Sequence, residues 1–370
     1  MLPSRMHSMC FALTLGVSSI AAATDDQPTT SLPYTPSLDV NAMDRSADPC
    51  EDLYQFACGG WKTNNPIPAD QSRWSTYGKA YVDNQRYLWG ILQDSSRPSP
   101  ERSATQTLIG DYFAACMNVE NIDELGHKPL ESDLHAIARL EDKTQLGELI
   151  GRLIVHTDTS AFFLGLGSEQ DAEDSSLMIG GIHAGGLGLP DRDYYLDNDE
   201  NKKATREEYS AHLTSMFMLL GESAEKARNS AATVMRIETA LAKASLTRVE
   251  RRDPHKVYHR KSLGELQQMA PAIDWGTLFN KAGLDPKPWL NLSQPAFILE
   301  TQATIERESL EDLKTYLRWS LVNTRAQLLS KPFRDQDFAF FKGHLRGITE
   351  QSPRWRTCVS QVDRQLGESL

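Results

Sequence analysis

The residues best spaced for chemistry lie in DPHKVYHR, where His255 and His259 stand four apart. On one helix face that spacing lets two imidazoles share a metal. The motif that makes a hydrolase of it has glutamate directly after the first histidine, and Lys256 stands there instead. An ammonium cannot act as the carboxylate base, and its charge opposes a zinc ion. No third ligand follows in a suitable helix, so the pair reads as surface histidines near a helix start. There is no Gly-x-Ser-x-Gly elbow for a nucleophilic serine. No two carboxylates declare themselves as an acid and a base. The basic run RVERRDP, Arg248 to Pro254, reads as a helix end whose cations complement the dipole and form ion pairs.

The cysteines carry more information. In DPCEDLYQFACGGW, Asp48 suits an N-cap, Pro49 a first helical position, and Glu51 and Asp52 the positive helix end. Gly59 and Gly60 read as the stop. Along such a helix Cys50 and Cys58 are roughly 12 Å apart, beyond disulfide reach, so each needs a distant partner. Cys10 lies in a removable leader, which leaves Cys50, Cys58, Cys116 and Cys358. Four cysteines allow three pairings, and none has the Cys-x-x-Cys spacing of a zinc ribbon or redox motif.

These residues need a scaffold, and the rest of the chain describes one. A chain of 370 residues, 40% hydrophobic and 24% charged, suffices for one large domain or two ordinary ones. A net charge of -11 argues against nucleic acid as a partner. Residues 1–23 have Arg5, an apolar run and the small residues Ala21 to Ala23, the pattern of a cleaved signal peptide, hence export to a periplasmic or extracellular space. Residues 24–47, rich in Pro, Ser, Thr and Asp, read as a flexible leader. Beyond them helical patterns dominate, over Glu101–Asn118, Thr144–His156, Glu200–Leu220, Ser223–Arg248, Leu310–Ser330 and Arg354–Leu370. Ser262 and Glu265 form a capping box. Leu313, Tyr316, Leu317, Leu321 and Leu328 make an apolar stripe destined for the core. Two apolar runs around an acidic loop, from Ser160 to Ile182, predict a β-hairpin. GGLGLPDRDYY, Gly185 to Tyr195, lacks phosphate-loop spacing and reads as a structural turn.

Taken together, DPCEDLYQFACGGW, NNPIP, SRW, YFAACMN, GGLGLPDRDYY, RRDP, FKGHLRG and PRWRTCVSQVD resemble, in order, the N-terminal part of the neprilysin-type zinc metallopeptidases. The resemblance covers about residues 40–370. It implies a mainly α fold over residues 48–370, a large helical domain with a small β-hairpin that covers the active site and admits only peptide-sized substrates. In that family the zinc ligands and the glutamate base lie C-terminal to RWRTCVSQVD, in a second domain. These 370 residues are therefore expected to be truncated before it, to hold no zinc and to be inactive alone, with the catalytic half, or its separately encoded counterpart, as partner and peptides as ligands. The resemblance further implies that Cys116 pairs with Cys358, while Cys50 and Cys58 have their partners in the absent domain. It assigns Arg73, in SRW, to a substrate carboxylate on the primed side, a task suited to a bidentate guanidinium. Two polar positions that accompany that arginine in the family fall at Gly78 and Tyr81 here. The rival readings are a non-catalytic peptide-binding or scaffold protein and a gene fragment without independent function.

Overall fold

Side-chain caps set where the long helices begin. Asp199, Ser223 and Ser309 each accept a backbone N–H from the residue three positions on, which starts the helices Glu200–Leu219, Ala224–Ala244 and Leu310–Arg325. Ser262 and Glu265 satisfy each other's backbone N–H groups in the expected capping box. The computed structural model describes residues 26–34, 36–157, 161–285 and 289–370, so the expected signal peptide lies outside the described residues. The fold is mainly α, with one small sheet.

The chain divides into two units. The first comprises the described residues up to Asp39, Ser75–Phe113 and Val359–Leu370. Its main element is the helix Thr76–Ser95, capped by Ser75. A Cβ on Gly110, in the helix Ala104–Met117, would stand 2.2 Å from the Ser95 carbonyl oxygen, so the backbones meet where no side chain fits. Part of the segment expected as a leader is held here: Thr29 donates its N–H to the Arg86 carbonyl at 3.1 Å.

The second unit comprises Val40–Trp74 and Ala114–Cys358. Its sheet has β1 (Leu164–Gln170), β2 (Met178–Ala184), β3 (Arg260–Lys261) and β4 (Leu290–Leu292) in the order β1-β2-β4-β3. β1 and β2 form the expected antiparallel hairpin, with Gly167 opposite Gly181. β4 then pairs with β2 in parallel and with β3 antiparallel, extending the hairpin into a four-stranded sheet. The core gathers Tyr209, Leu213, Val234, Ile237, Trp275, Phe297 and Trp319 with the stripe residues Leu313, Tyr316, Leu317 and Leu321. Leu328 is only half-buried.

Several boundaries differ from expectation. The first helix runs Leu53–Asn64 with Asp52 as its cap, while Asp48 instead accepts the Cys50 N–H in a turn before it. Gly59 and Gly60 lie inside that helix rather than ending it. A Cβ on Gly60 would stand 2.4 Å from the Asn41 carbonyl oxygen, so residues 40–44 pack where only glycine fits. The helix expected to end at Arg248 stops at Ala244, and Glu250–Arg252 forms a 3-10 turn of its own. The helix from Leu310 ends at Arg325, and the last helix is Arg354–Leu366.

Candidate functional site

Asn65–Trp74, between two helices, carries Arg73 in neither helix nor strand. Three side chains fix it. Asp70 Oδ2 accepts from the Ser352 hydroxyl at 2.9 Å and from the Arg356 guanidinium, and the Ala69 carbonyl receives the Thr349 N–H. Asp70 and Arg356 have side chains only 11% and 13% exposed, so this pair is largely shielded from solvent. Arg73, three residues on, is exposed and makes no ion pair or hydrogen bond among the described residues. Its five donors are free for a ligand. Asp70→Asn is expected to cost about 2 kcal/mol, the worth of a hydrogen bond to a charged group, in a denaturation comparison with the parent. In the first unit, Gly78 gives its N–H to Ser75 Oγ, and Tyr81 joins Gln85 and Ser360 in one hydrogen-bonded set, with Gln85 Nε2 donating to both hydroxyls. Neither Gly78 nor Tyr81 supplies a charge.

Cys116 and Cys358 form a disulfide with Cα atoms 5.6 Å apart. Arg354 secures its surroundings, donating to the Cys116 carbonyl at 3.0 Å. Cys50 is exposed and Cys58 half-buried, and both are free thiols. Because Cys50 precedes the first helix, the helical separation inferred from sequence does not describe this pair.

His255 and His259 do not share a helix face. His259 takes a structural role, with its N–H bonded to Asn291 Oδ1 at 2.8 Å and its Nδ1 3.1 Å from the Leu292 carbonyl oxygen. His255 follows Asp253 in a turn. Arg248, in the basic run, pairs with buried Asp191 rather than serving a helix end. Among the described residues no group of three or more His, Cys, Asp or Glu side chains could hold a metal ion. The side chains described thus do not fit a zinc site, and no chemical step is derived through one.

The feature that sequence reasoning missed is a buried carboxylate. Glu238, 1% exposed in the helix Ala224–Ala244, accepts from Tyr195 Oη at 2.7 Å, Tyr209 Oη at 3.0 Å and Trp319 Nε1 at 3.1 Å. Burial pushes its carboxyl up to about 7 although these donors pull the other way. Tyr195 also accepts the Leu189 N–H, and Tyr316 donates to the Gly186 carbonyl. The glycines of GGLGLPDRDYY thereby gain a reason: Gly186 has φ +75°, and a Cβ on Gly188 would collide with Tyr209 Oη. The loop they shape forms one wall of a cavity of about 380 Å³. The glycine spacing was the available signal, but it marks close approach to buried hydroxyls, not a phosphate.

The description "Peptidase family M13" matches residues 49–370, the whole described span from the first cysteine turn to the last helix. The chain belongs to peptidase family M13. The M13 match agrees with individual relatives. Endothelin-converting enzyme 1 of Bos taurus is 30% identical over 341 residues, covering 90% of this chain and 45% of the relative. Neprilysin-3 of Drosophila melanogaster is 28% identical over 348 residues, covering 89% and 44%. The chain therefore spans less than half the length of these M13 relatives. Among solved structures, Mycobacterium tuberculosis zinc metalloprotease Zmp1 in complex with inhibitor superposes with a TM-score of 0.83 at 26% identity, covering 92% of this chain and 51% of that one. PepO from Lactobacillus rhamnosis shares the fold, with a TM-score of 0.72 at 18% identity. M13 peptidases are zinc metallopeptidases, and the part represented here is the helical N-terminal domain. Among the described residues no helix is long and apolar enough to cross a membrane.

Proposed function

We propose that these residues form the substrate-gating cover domain of an exported M13 zinc metalloendopeptidase. They do not hydrolyse peptides by themselves; the zinc, the glutamate base and the partners of Cys50 and Cys58 come from a catalytic half. The observation that carries the reading is the M13 match across residues 49–370 combined with coverage of under half of each relative. Export is supported by the disulfide, which persists in oxidising compartments. Arg73, exposed and without an ion pair or hydrogen bond among the described residues, is the residue assigned to a substrate carboxylate.

Hydrolysis of a fluorogenic peptide tests this in two preparations. One is the 370-residue chain; the other extends it through any reading frame that follows the Leu370 codon. Expected are no bound zinc and no turnover for the first, and zinc-dependent turnover for the second if that frame encodes His-Glu-x-x-His. In the extended protein Arg73→Ala raises KM about tenfold for peptides with a free primed-side carboxylate, the loss of roughly one charge-assisted hydrogen bond, and spares their amides. One tightly held zinc per 370-residue chain together with peptide cleavage would overturn the reading.

A further inference from the structure

The cavity beside the Gly185–Leu189 loop has a chemistry that the cover-domain reading does not use. Its volume is about 380 Å³, enough for a small organic acid or the last residues of a peptide, and it lies wholly within the second unit. Two guanidinium groups line it. Arg192 donates to the Ser245 carbonyl at 2.8 Å, and Arg251 is exposed; neither has a carboxylate partner among the described residues. The one acid in the lining, Asp191, is already paired with Arg248. The lining therefore carries an unbalanced positive charge on a chain whose net charge is -11.

A buried amide completes the arrangement. Gln294 is 8% exposed, and its Oε1 accepts the Leu246 N–H at 2.7 Å. Its amide nitrogen, on the cavity wall, donates to nothing among the described residues. That nitrogen is open to the cavity rather than sealed in the protein, so it can donate to an acceptor that enters there. Gln294 is also the cap residue of the helix Pro295–Arg307 and spends no side-chain hydrogen bond on that cap. Asn323 adds a second side-chain amide. The glycine loop in the lining is held in place, with Gly186 against Tyr316, which donates to its carbonyl.

We propose that this cavity binds a carboxylate, held between Arg192 and Arg251 and oriented by the Gln294 amide. Two sources offer that chemistry, a free dicarboxylic acid and the C-terminus of a peptide. The proposal stands apart from the cover-domain reading, since carboxylate binding and peptide hydrolysis are measured separately.

Titration calorimetry on the full chain at low salt decides it. The probes are succinate, the tripeptide Ala-Ala-Phe with a free carboxylate, and the same tripeptide as its C-terminal amide. Saturable binding of succinate or of the free-acid tripeptide, with the amide at least tenfold weaker, supports the proposal and identifies the source. Arg251→Glu, at an exposed position, is expected to weaken the bound probe at least tenfold. Arg45→Glu, an equal change in net charge at an exposed position outside the cavity, is expected to leave affinity within twofold. The proposal is overturned if neither carboxylate saturates by 10 mM, if acid and amide bind equally, or if the two charge reversals act alike.

Discussion

Replacing Cys116 and Cys358 together by alanine is expected to cost up to about 5 kcal/mol of stability. The link joins residues 242 apart. In the chain-entropy account a loop of a few hundred residues restricts the unfolded ensemble by about 5 kcal/mol, less any strain in the folded state. Alanine is the suitable replacement because Cys358 is fully buried, and a serine hydroxyl there would add a desolvation cost unrelated to the cross-link. The measurement is urea denaturation of the double variant beside the parent, with and without reductant. Reductant should bring the parent down to the variant and leave the variant unmoved. A parent insensitive to reductant would show that the cross-link contributes nothing. Non-reducing peptide mapping of the same samples should find Cys50 and Cys58 free in the monomer.

The second large effect concerns Glu238. Removing its carboxylate by Glu238→Ala leaves Tyr195, Tyr209 and Trp319 as buried donors without their acceptor, at an expected cost of about 4 kcal/mol. The pH dependence gives a sharper signature. Burial raises Glu238 from 4.5 to about 7, so between those values the folded chain keeps a proton that the unfolded chain has released. Its contribution to stability is full below pH 4.5 and falls as pH rises to 7, by about 3 kcal/mol for a shift of this size. His212 acts in the opposite sense. It is buried among Trp319, Phe340 and Phe341, and desolvation lowers it from 6.5 to about 4. The folded chain keeps it neutral where the unfolded chain takes up a proton, so its contribution is present above pH 6.5 and lost as pH falls to 4. Across the shared window the two nearly offset each other. Glu238→Gln should therefore cost most near pH 4.5 and less toward 7, whereas His212→Asn should cost most near pH 7 and less toward 4. Stability curves for the parent and both variants between pH 4 and 7.5 check this, and parallel curves would refute it. Asp337, raised to about 6 by burial, titrates in all three proteins and drops out of the differences.

What the sequence disclosed follows from how local each feature is. Helix starts at Glu200, Leu310 and Arg354 were legible because a capping or periodic signal sits within one turn of each. The hairpin was legible for the same reason, its strands being joined by a short acidic loop. β4 has three residues, too few for any periodicity, and exists because β2 offers it an edge. Gly59 and Gly60 were misread because a stop and a close approach leave the same residue in the sequence; only the position of Asn41 tells them apart. Glu238 looks like any solvated helix charge until Tyr209, 29 residues away, and Trp319, 81 away, close over it. Arg73 could be singled out from the SRW motif, yet the Asp70–Arg356 pair that positions its segment spans 286 residues and left no local trace.

The parallel pairing of β2 with β4 also sets an order of events on the ribosome. Gly180 meets Leu290, and the chain between them includes the helices Glu200–Leu219 and Ala224–Ala244. At a synthesis rate of about 5–20 residues per second, β2 emerges some 5–20 s before the strand that covers its free edge. For that interval a glycine-rich hairpin displays an open row of backbone donors and acceptors, the kind of edge on which nascent chains pair wrongly. Cys116 waits longer still, since Cys358 lies a further 68 residues beyond Leu290. The hairpin thus stands to gain from a holding chaperone, and slowing translation beyond it should raise the yield of aggregated product.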